Sequence, residues 1–181
     1  SIMYTNINKI VHQWLDQVCQ DHHVVIDATC GQGHDTYKLA LIASKVYAFD
    51  IQAEAIQATK KRCIQCQNIE YFHDSHDQLD YYIKTPIDGA IFNLGYLPHS
   101  DKKIMTQPKS TLCALDKIYA LLKEQGWLII TCYRGHKGGE EEYKQVEKWV
   151  KEHFSLIEQY TYQDVNKAPV AFLIKKTASG S

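Results

Sequence analysis

Val24-Val25-Ile26-Asp27-Ala28-Thr29-Cys30-Gly31-Gln32-Gly33 is the stretch that decides the fold of this chain. Three β-branched residues in succession read as a strand buried on both faces. The acidic residue and the two glycines that follow bring the chain sharply round, and residues 35–43 then take a helical period. A strand, a glycine turn and a helix in that order open a crossover unit of a parallel sheet.

Working outward from this unit, strand-length apolar runs alternate with helical segments along the chain. Strands are expected over residues 23–28, 45–49 (closed by Asp50), 69–73, 87–93 and 127–132. Helices are expected over 35–43, 53–66, 78–83, 110–123 and 140–152. Such repetition builds a parallel sheet with right-handed crossovers and helices on both faces. Two last strands, 155–161 and 168–175, are close enough in sequence to pair antiparallel. The expected fold is α/β, a seven-stranded, mostly parallel sheet in one domain spanning residues 1–178. An opening helix over residues 5–19 places Ile7, Ile10, Val11, Trp14, Leu15 and Val18 on one face. Its place, over a ligand or against the sheet, is open at this level. Residues 179–181 read as a tail.

Composition narrows the functional class. The 181 residues are 45% hydrophobic and 23% charged, and no apolar run reaches membrane-spanning length, so a soluble cytoplasmic protein without a membrane partner is expected. Net charge is −1, so a nucleic acid would have to be held by a local basic patch. Cys63 and Cys66 form a lone Cys-x-x-Cys with no second pair and no His-x-x-His, so no metal site is expected. In a helix they read as two small half-buried residues.

The loops at the carboxyl ends of the strands should carry the site. A dinucleotide fingerprint needs a third glycine, where this chain has Thr36, and Asp27 would repel a pyrophosphate. The same carboxylate suits a cationic ligand bearing an amino acid, such as S-adenosylmethionine, with Thr29, Gly31, Gly33 and His34 around it. Asp50 ends the second strand, where an acid accepts from ribose hydroxyls; capping the next helix is the other reading. Asp74 and Ser75 stand equally as adenine contacts or helix caps.

The fourth strand ends in Asn93-Leu94-Gly95-Tyr96-Leu97-Pro98, similar to the Asn-Pro-Pro-Tyr motif of methyltransferases that act on amines. An asparagine carbonyl and a backbone carbonyl, here from Asn93 and Leu94, can accept two amine hydrogens and aim the lone pair. Tyr96 could stack on a base or face a developing cation. Leu-Gly replaces Pro-Pro, and a plain strand-ending turn is the alternative. After the fifth strand, Arg134 and Lys137 could hold phosphate, Tyr133 could stack a splayed base, and His136 could take a proton from an alkyl ammonium. A solvated loop is the competing reading. The His99–Lys103 run, residues 99–103, adds candidates at the same mouth.

Taken together, Asp-Ala-Thr-Cys-Gly-Gln-Gly-His-Asp-Thr (27–36), Phe-Asp-Ile-Gln (49–52), Asp-Ser-His (74–76), Phe-Asn-Leu-Gly-Tyr-Leu-Pro (92–98), Asp101-Lys102, Thr106 and Tyr-x-Gly-His-x-Gly-Gly-x-Glu (133–141) resemble the small bacterial rRNA methylase family. The resemblance implies a Rossmann-like class I methyltransferase fold and S-adenosyl-L-methionine as cofactor. It adds Gln52 to the cofactor contacts. Because characterised members act on wobble uridine, it implies methylation of 5-aminomethyl-2-thiouridine at position 34, with the tRNA anticodon stem-loop facing the loops at 94–106 and 133–141. It also implies a homodimer. Methylation of an exocyclic base amine in rRNA would use the same asparagine motif.

Overall fold

The computed structural model describes residues 2–95, 108–162 and 166–178. Seven strands form one sheet: β1 (Val24–Asp27), β2 (Lys45–Asp50), β3 (Ile69–His73), β4 (Ile87–Leu94), β5 (Leu122–Cys132), β6 (Ile157–Thr161) and β7 (Val170–Lys175). Their order is β3-β2-β1-β4-β5-β7-β6. The first five run parallel, and β7 enters antiparallel between β5 and β6. The order reverses between β1 and β4. Loops leaving these neighbouring strands go to opposite sides, which opens a crevice above their carboxyl ends.

Alternation along each strand sends successive residues to opposite faces. On one side Val25, Val46, Ile91, Ile129 and Leu173 meet α1 (Ile2–Val18) and α2 (His34–Ile42). The face of α1 read from the sequence is the face it buries: Ile7, Val11, Trp14 and Leu15 are in the core, with Ile10 and Val18 at its margin. The question of its placement is thus answered in favour of packing on the sheet. α3 (Ala53–Arg62) covers the same side farther along, with Ile56 against Ala48 and Cys30. On the other side Ile26, Phe92, Ile130 and Phe172 pack beneath α5 (Pro108–Leu121) and α6 (Gly139–His153). A short α4 (Leu79–Tyr82) follows a 3-10 turn at His76–Gln78.

Several element boundaries differ from the sequence expectation, and three of them have a local cause. The helix expected to reach residue 66 stops at Arg62, with Cys63 as its C-cap. The apolar pattern does continue at Ile64, but that side chain faces solvent. β5 starts five residues early, at Leu122, and its pairing to β4 jumps from Ile87–Leu122 to Gly89–Trp127. Lys123, Glu124 and Gln125 bulge outward there, with Gln125 at φ 68°. A bulge hides an early strand start behind polar residues. Finally, Ser75 caps the 3-10 turn by accepting from the Asp77 N–H, and the turn takes the place of the helix start expected at residue 78. No helix among the described residues is long and apolar enough to cross a membrane.

Candidate functional site

The loop after β1 is tied to both flanking strands. Ala28 N–H donates to Ile91 O at 3.0 Å, and Cys30 N–H donates to Phe49 O at 2.8 Å. Gly31, at φ 53°, and Gly33, at φ 88°, both take the left-handed region that disfavours a side chain. Gly33 also lies against α3, where an added Cβ would come within 2.9 Å of the Thr59 Cα. Gly31 meets only the Thr29 carbonyl at 4.0 Å, so its outer side is open to a ligand. Thr59 Oγ1–H donates to the Gly31 carbonyl at 3.1 Å, and Arg62 Nε–H to the Gln32 carbonyl at 2.8 Å. The turn is therefore held by α3 before any ligand arrives.

Asp27 lies beneath this loop and is fully buried. One oxygen accepts from the Thr29 N–H at 3.2 Å, the other from the Thr36 hydroxyl at 2.6 Å. Burial, with Asp35 nearby, pushes its carboxyl above the ordinary range, against the opposing pull of those two bonds. Placed so, the carboxylate shapes the loop from below and exposes no surface at the cavity, where direct ligand contact was expected. Asp50 accepts from the Gly31 N–H at 3.0 Å and from the Gln52 N–H at 2.9 Å. It is not the helix cap, which is Gln52. Burial raises its carboxyl as well. Each oxygen keeps a lone pair that a hydroxyl could use.

At the end of β4, the Asn93 N–H donates to Thr29 Oγ1 at 2.7 Å, which locks β4 to the β1 loop. The Asn93 side-chain Nδ2 donates to Asp35 Oδ2, also at 2.7 Å. A carboxylate only accepts, so this bond settles which way the amide points. Its carbonyl oxygen faces away from Asp35 and, among the described residues, has no partner. Asp35 was not among the residues singled out from the sequence. As an acid in the first turn of a helix it reads as ordinary dipole compensation; only the fold shows that it faces Asn93.

A small cavity opens at this point, lined by Asn8, Thr29, Cys30, Gly31, Gln32, Gly33, His34, Asp35, Asn93 and Tyr133. Six of the expected site residues meet there: Thr29, Gly31, Gly33, His34, Asn93 and Tyr133. His34 stands at the rim of the cavity, where partial loss of solvent is the main cause lowering its imidazole from the usual value. Asp74 and Ser75 stand to one side, after β3, which pairs with β2 so that His73 lies opposite Asp50. Asp74 accepts from the Ser75 N–H and the Tyr82 hydroxyl, while Ser75 caps the 3-10 turn.

Around the second loop the structure rearranges several assignments. Tyr133 is buried, its hydroxyl 3.5 Å from Asn8 Oδ1, so it is a wall of the cavity and no platform for a splayed base. Arg134 forms a bidentate pair with Glu140 at 2.9 and 3.4 Å, donates to the Ala168 carbonyl and stacks on Tyr143. Three of its five N–H donors and its charge are engaged within the fold, so it serves here as a brace in place of the free phosphate contact expected. The Leu94 carbonyl accepts from the Tyr133 N–H at 2.8 Å, which joins β4 to the β5 loop and leaves its second lone pair as an acceptor. Lys137 is exposed. The His136 ring sits where a Cβ on Gly95 would be 2.1 Å from its Cε1, so Gly95 is needed for that close approach. Burial lowers the His136 imidazole from its usual value, favouring the neutral form that can accept a proton. Tyr96, residues 97–103 and Thr106 lie outside the described residues, as do residues 179–181.

Comparison with known proteins agrees with this geometry. The family model described as "Putative rRNA methylase" matches residues 46–175. A curated relative, the chloroplastic tRNA (mnm(5)s(2)U34)-methyltransferase of Arabidopsis thaliana, is 34% identical over 155 residues. That alignment takes in 77% of this chain but only 57% of the relative's length. Among solved structures, SMU.1697c of Streptococcus mutans, a methyltransferase by its description and in complex with SAH, superposes with a TM-score of 0.84 at 37% identity. It covers 93% of this chain and 96% of that one. An rRNA methylase of Clostridium thermocellum gives a TM-score of 0.86 at 32% identity, over 93% and 96% of the two chains.

Proposed function

The chain belongs to the rRNA methylase family, and from that premise we propose that it is an S-adenosylmethionine-dependent N-methyltransferase acting on the 5-aminomethyl group of 5-aminomethyl-2-thiouridine at the tRNA wobble position. The observation that carries this reading is the Asn93 amide, held by Asp35 with its carbonyl turned away, in a crevice walled by the β1 glycine loop. A relative named for the same modified wobble nucleoside supports the choice of acceptor.

The residues fit the cofactor. Gly31 offers open backbone, and the first turn of α2 has no side-chain cap, leaving N–H groups for a carboxylate. Asp50 suits ribose hydroxyls. Bound there, S-adenosylmethionine supplies a methyl on a sulfonium sulfur, which keeps the S–C electron pair as the acceptor nitrogen's lone pair forms the new C–N bond. The Asn93 carbonyl accepts an amine hydrogen and aims that lone pair, so orientation replaces chance encounter. An alkyl ammonium must lose a proton before attack, and the product ammonium loses another; neutral His136 at Gly95 is the group placed to receive one.

The test is mass spectrometry of nucleosides from tRNA incubated with the protein and S-adenosylmethionine. The expected result is one methyl added to the aminomethyl nitrogen of the thiouridine. Asn93→Ala should lower turnover by about 100-fold with cofactor affinity nearly unchanged. An unmodified wobble nucleoside alongside a methylated base amine in rRNA would overturn the proposal.

A further inference from the structure

We propose that His12, on α1, is a positioning residue for methyl transfer that holds the Asn93 amide through Asp35; this rests on the role given to Asn93 above. His12 Nε2 lies 2.7 Å from Asp35 Oδ1, and Asp35 Oδ2 accepts from Asn93 Nδ2 at the same distance. Three side chains from α1, α2 and β4 thus form one line that ends in the cavity. The carboxylate has no proton to give in its ionised form, so His12 Nε2 carries the hydrogen and donates it. Asp35 is mostly buried, with 12% of its side chain exposed.

The consequence is orientational. In the first turn of α2, Asp35 could otherwise rotate toward the free N–H groups of its own helix, and the Asn93 amide would lose its anchor. His12 removes that freedom. Asn8, one turn earlier on the same face of α1, lines the cavity and meets the Tyr133 hydroxyl. Two residues of α1 spaced four apart are therefore tied to the site, Asn8 as a wall of the cavity and His12 through Asp35, so this helix supports the site as well as covering the sheet. The pair is part-buried at the edge of the cavity, and what it fixes is the direction of the Asn93 amide, so its effect should be read in turnover.

His12→Ala should lower kcat roughly 10-fold while KM for cofactor and tRNA stays within about two-fold. His12→Gln places an amide N–H near the position of Nε2–H and should restore kcat to within about three-fold of the native protein. On an Asp35→Asn background, His12→Ala should add nothing further, because the link is already broken. Independently of turnover, the Asn93 side-chain amide signal in a heteronuclear NMR spectrum, assigned by its absence in Asn93→Ala, should shift in His12→Ala and return in His12→Gln. Unchanged kcat in His12→Ala, a Gln variant as impaired as the Ala variant, or an unmoved amide signal would each overturn the proposal. Should the native protein methylate no tRNA nucleoside, the proposed function fails on its own, and the amide signal still decides whether His12 sets Asn93.

Discussion

Asp27 shows how a single carboxylate can shape a loop from beneath it. It is sealed under the glycine loop, and its carboxyl is raised mainly by burial. A raised folded-state value means that its contribution favours folding most below the unfolded value of 3.8 and is lost as pH rises through the folded value. Asparagine copies the protonated form: its oxygen can accept from Thr29 N–H, and its amide can donate to Thr36 Oγ1. Asp27→Asn should therefore flatten the decline of thermal stability between mildly acidic and mildly alkaline pH, with its largest gain over the native protein at the alkaline end. Parallel stability curves for the two proteins, followed by circular dichroism, would contradict this. At the same scale, residue type alone misled in the β5 loop. Arg134 and Tyr133 look like RNA-binding groups until the fold brings Glu140, Ala168 and Asn8 to them. Gly31, Gly33 and Asn93 were legible because their positions after β1 and β4 follow from strand order. Asp35 was not, because its partners His12 and Asn93 are distant in sequence.

Among the elements, α1 joins stability to function most directly. Its apolar stripe closes one face of the sheet, and its polar side supplies Asn8 to the cavity wall and His12 to Asp35. Leu15 is fully buried at the centre of that stripe. Leu15→Ala should cost about 2–5 kcal/mol, the transfer energy of the lost methyl groups plus the cavity left behind. Urea unfolding measures it as a lower midpoint with an unchanged slope; a loss below about 1 kcal/mol would mean that α1 packs loosely. The alternation of strand and helix periods reveals the sheet, the antiparallel closing pair and this stripe, since each arises from which face meets the core. The early start of β5 escapes that logic. Its first residues bulge outward as Lys123-Glu124-Gln125, a polar run that reads as a loop, while only Leu122 turns inward.

Across the whole molecule, the carboxyl ends of β1, β2 and β4 meet α1, α2 and the β5 loop at one crevice, so a ligand there contacts elements far apart in the chain. Anything that binds this arrangement and not the unfolded chain must stabilise all of it by mass action. At a free concentration 100-fold above its dissociation constant, S-adenosylhomocysteine should add about 2.7 kcal/mol. For a domain of this size that corresponds to a rise in melting temperature of roughly 2–4 °C for each kcal/mol. Asp50→Ala should remove most of the rise, because it strips the acceptor at the end of β2 and frees the Gly31 N–H that Asp50 holds. Arg134→Ala should behave differently. It should lower the melting temperature of the ligand-free protein through loss of the Glu140, Ala168 and Tyr143 contacts, yet leave the ligand-induced rise intact. The comparison therefore tells a ligand contact from a brace of the fold. Stabilisation by NAD with none from S-adenosylhomocysteine would reassign the crevice to a dinucleotide. The chain argues against that outcome, because Thr36 stands where a third glycine would allow close approach and its hydroxyl is spent on Asp27 below the loop.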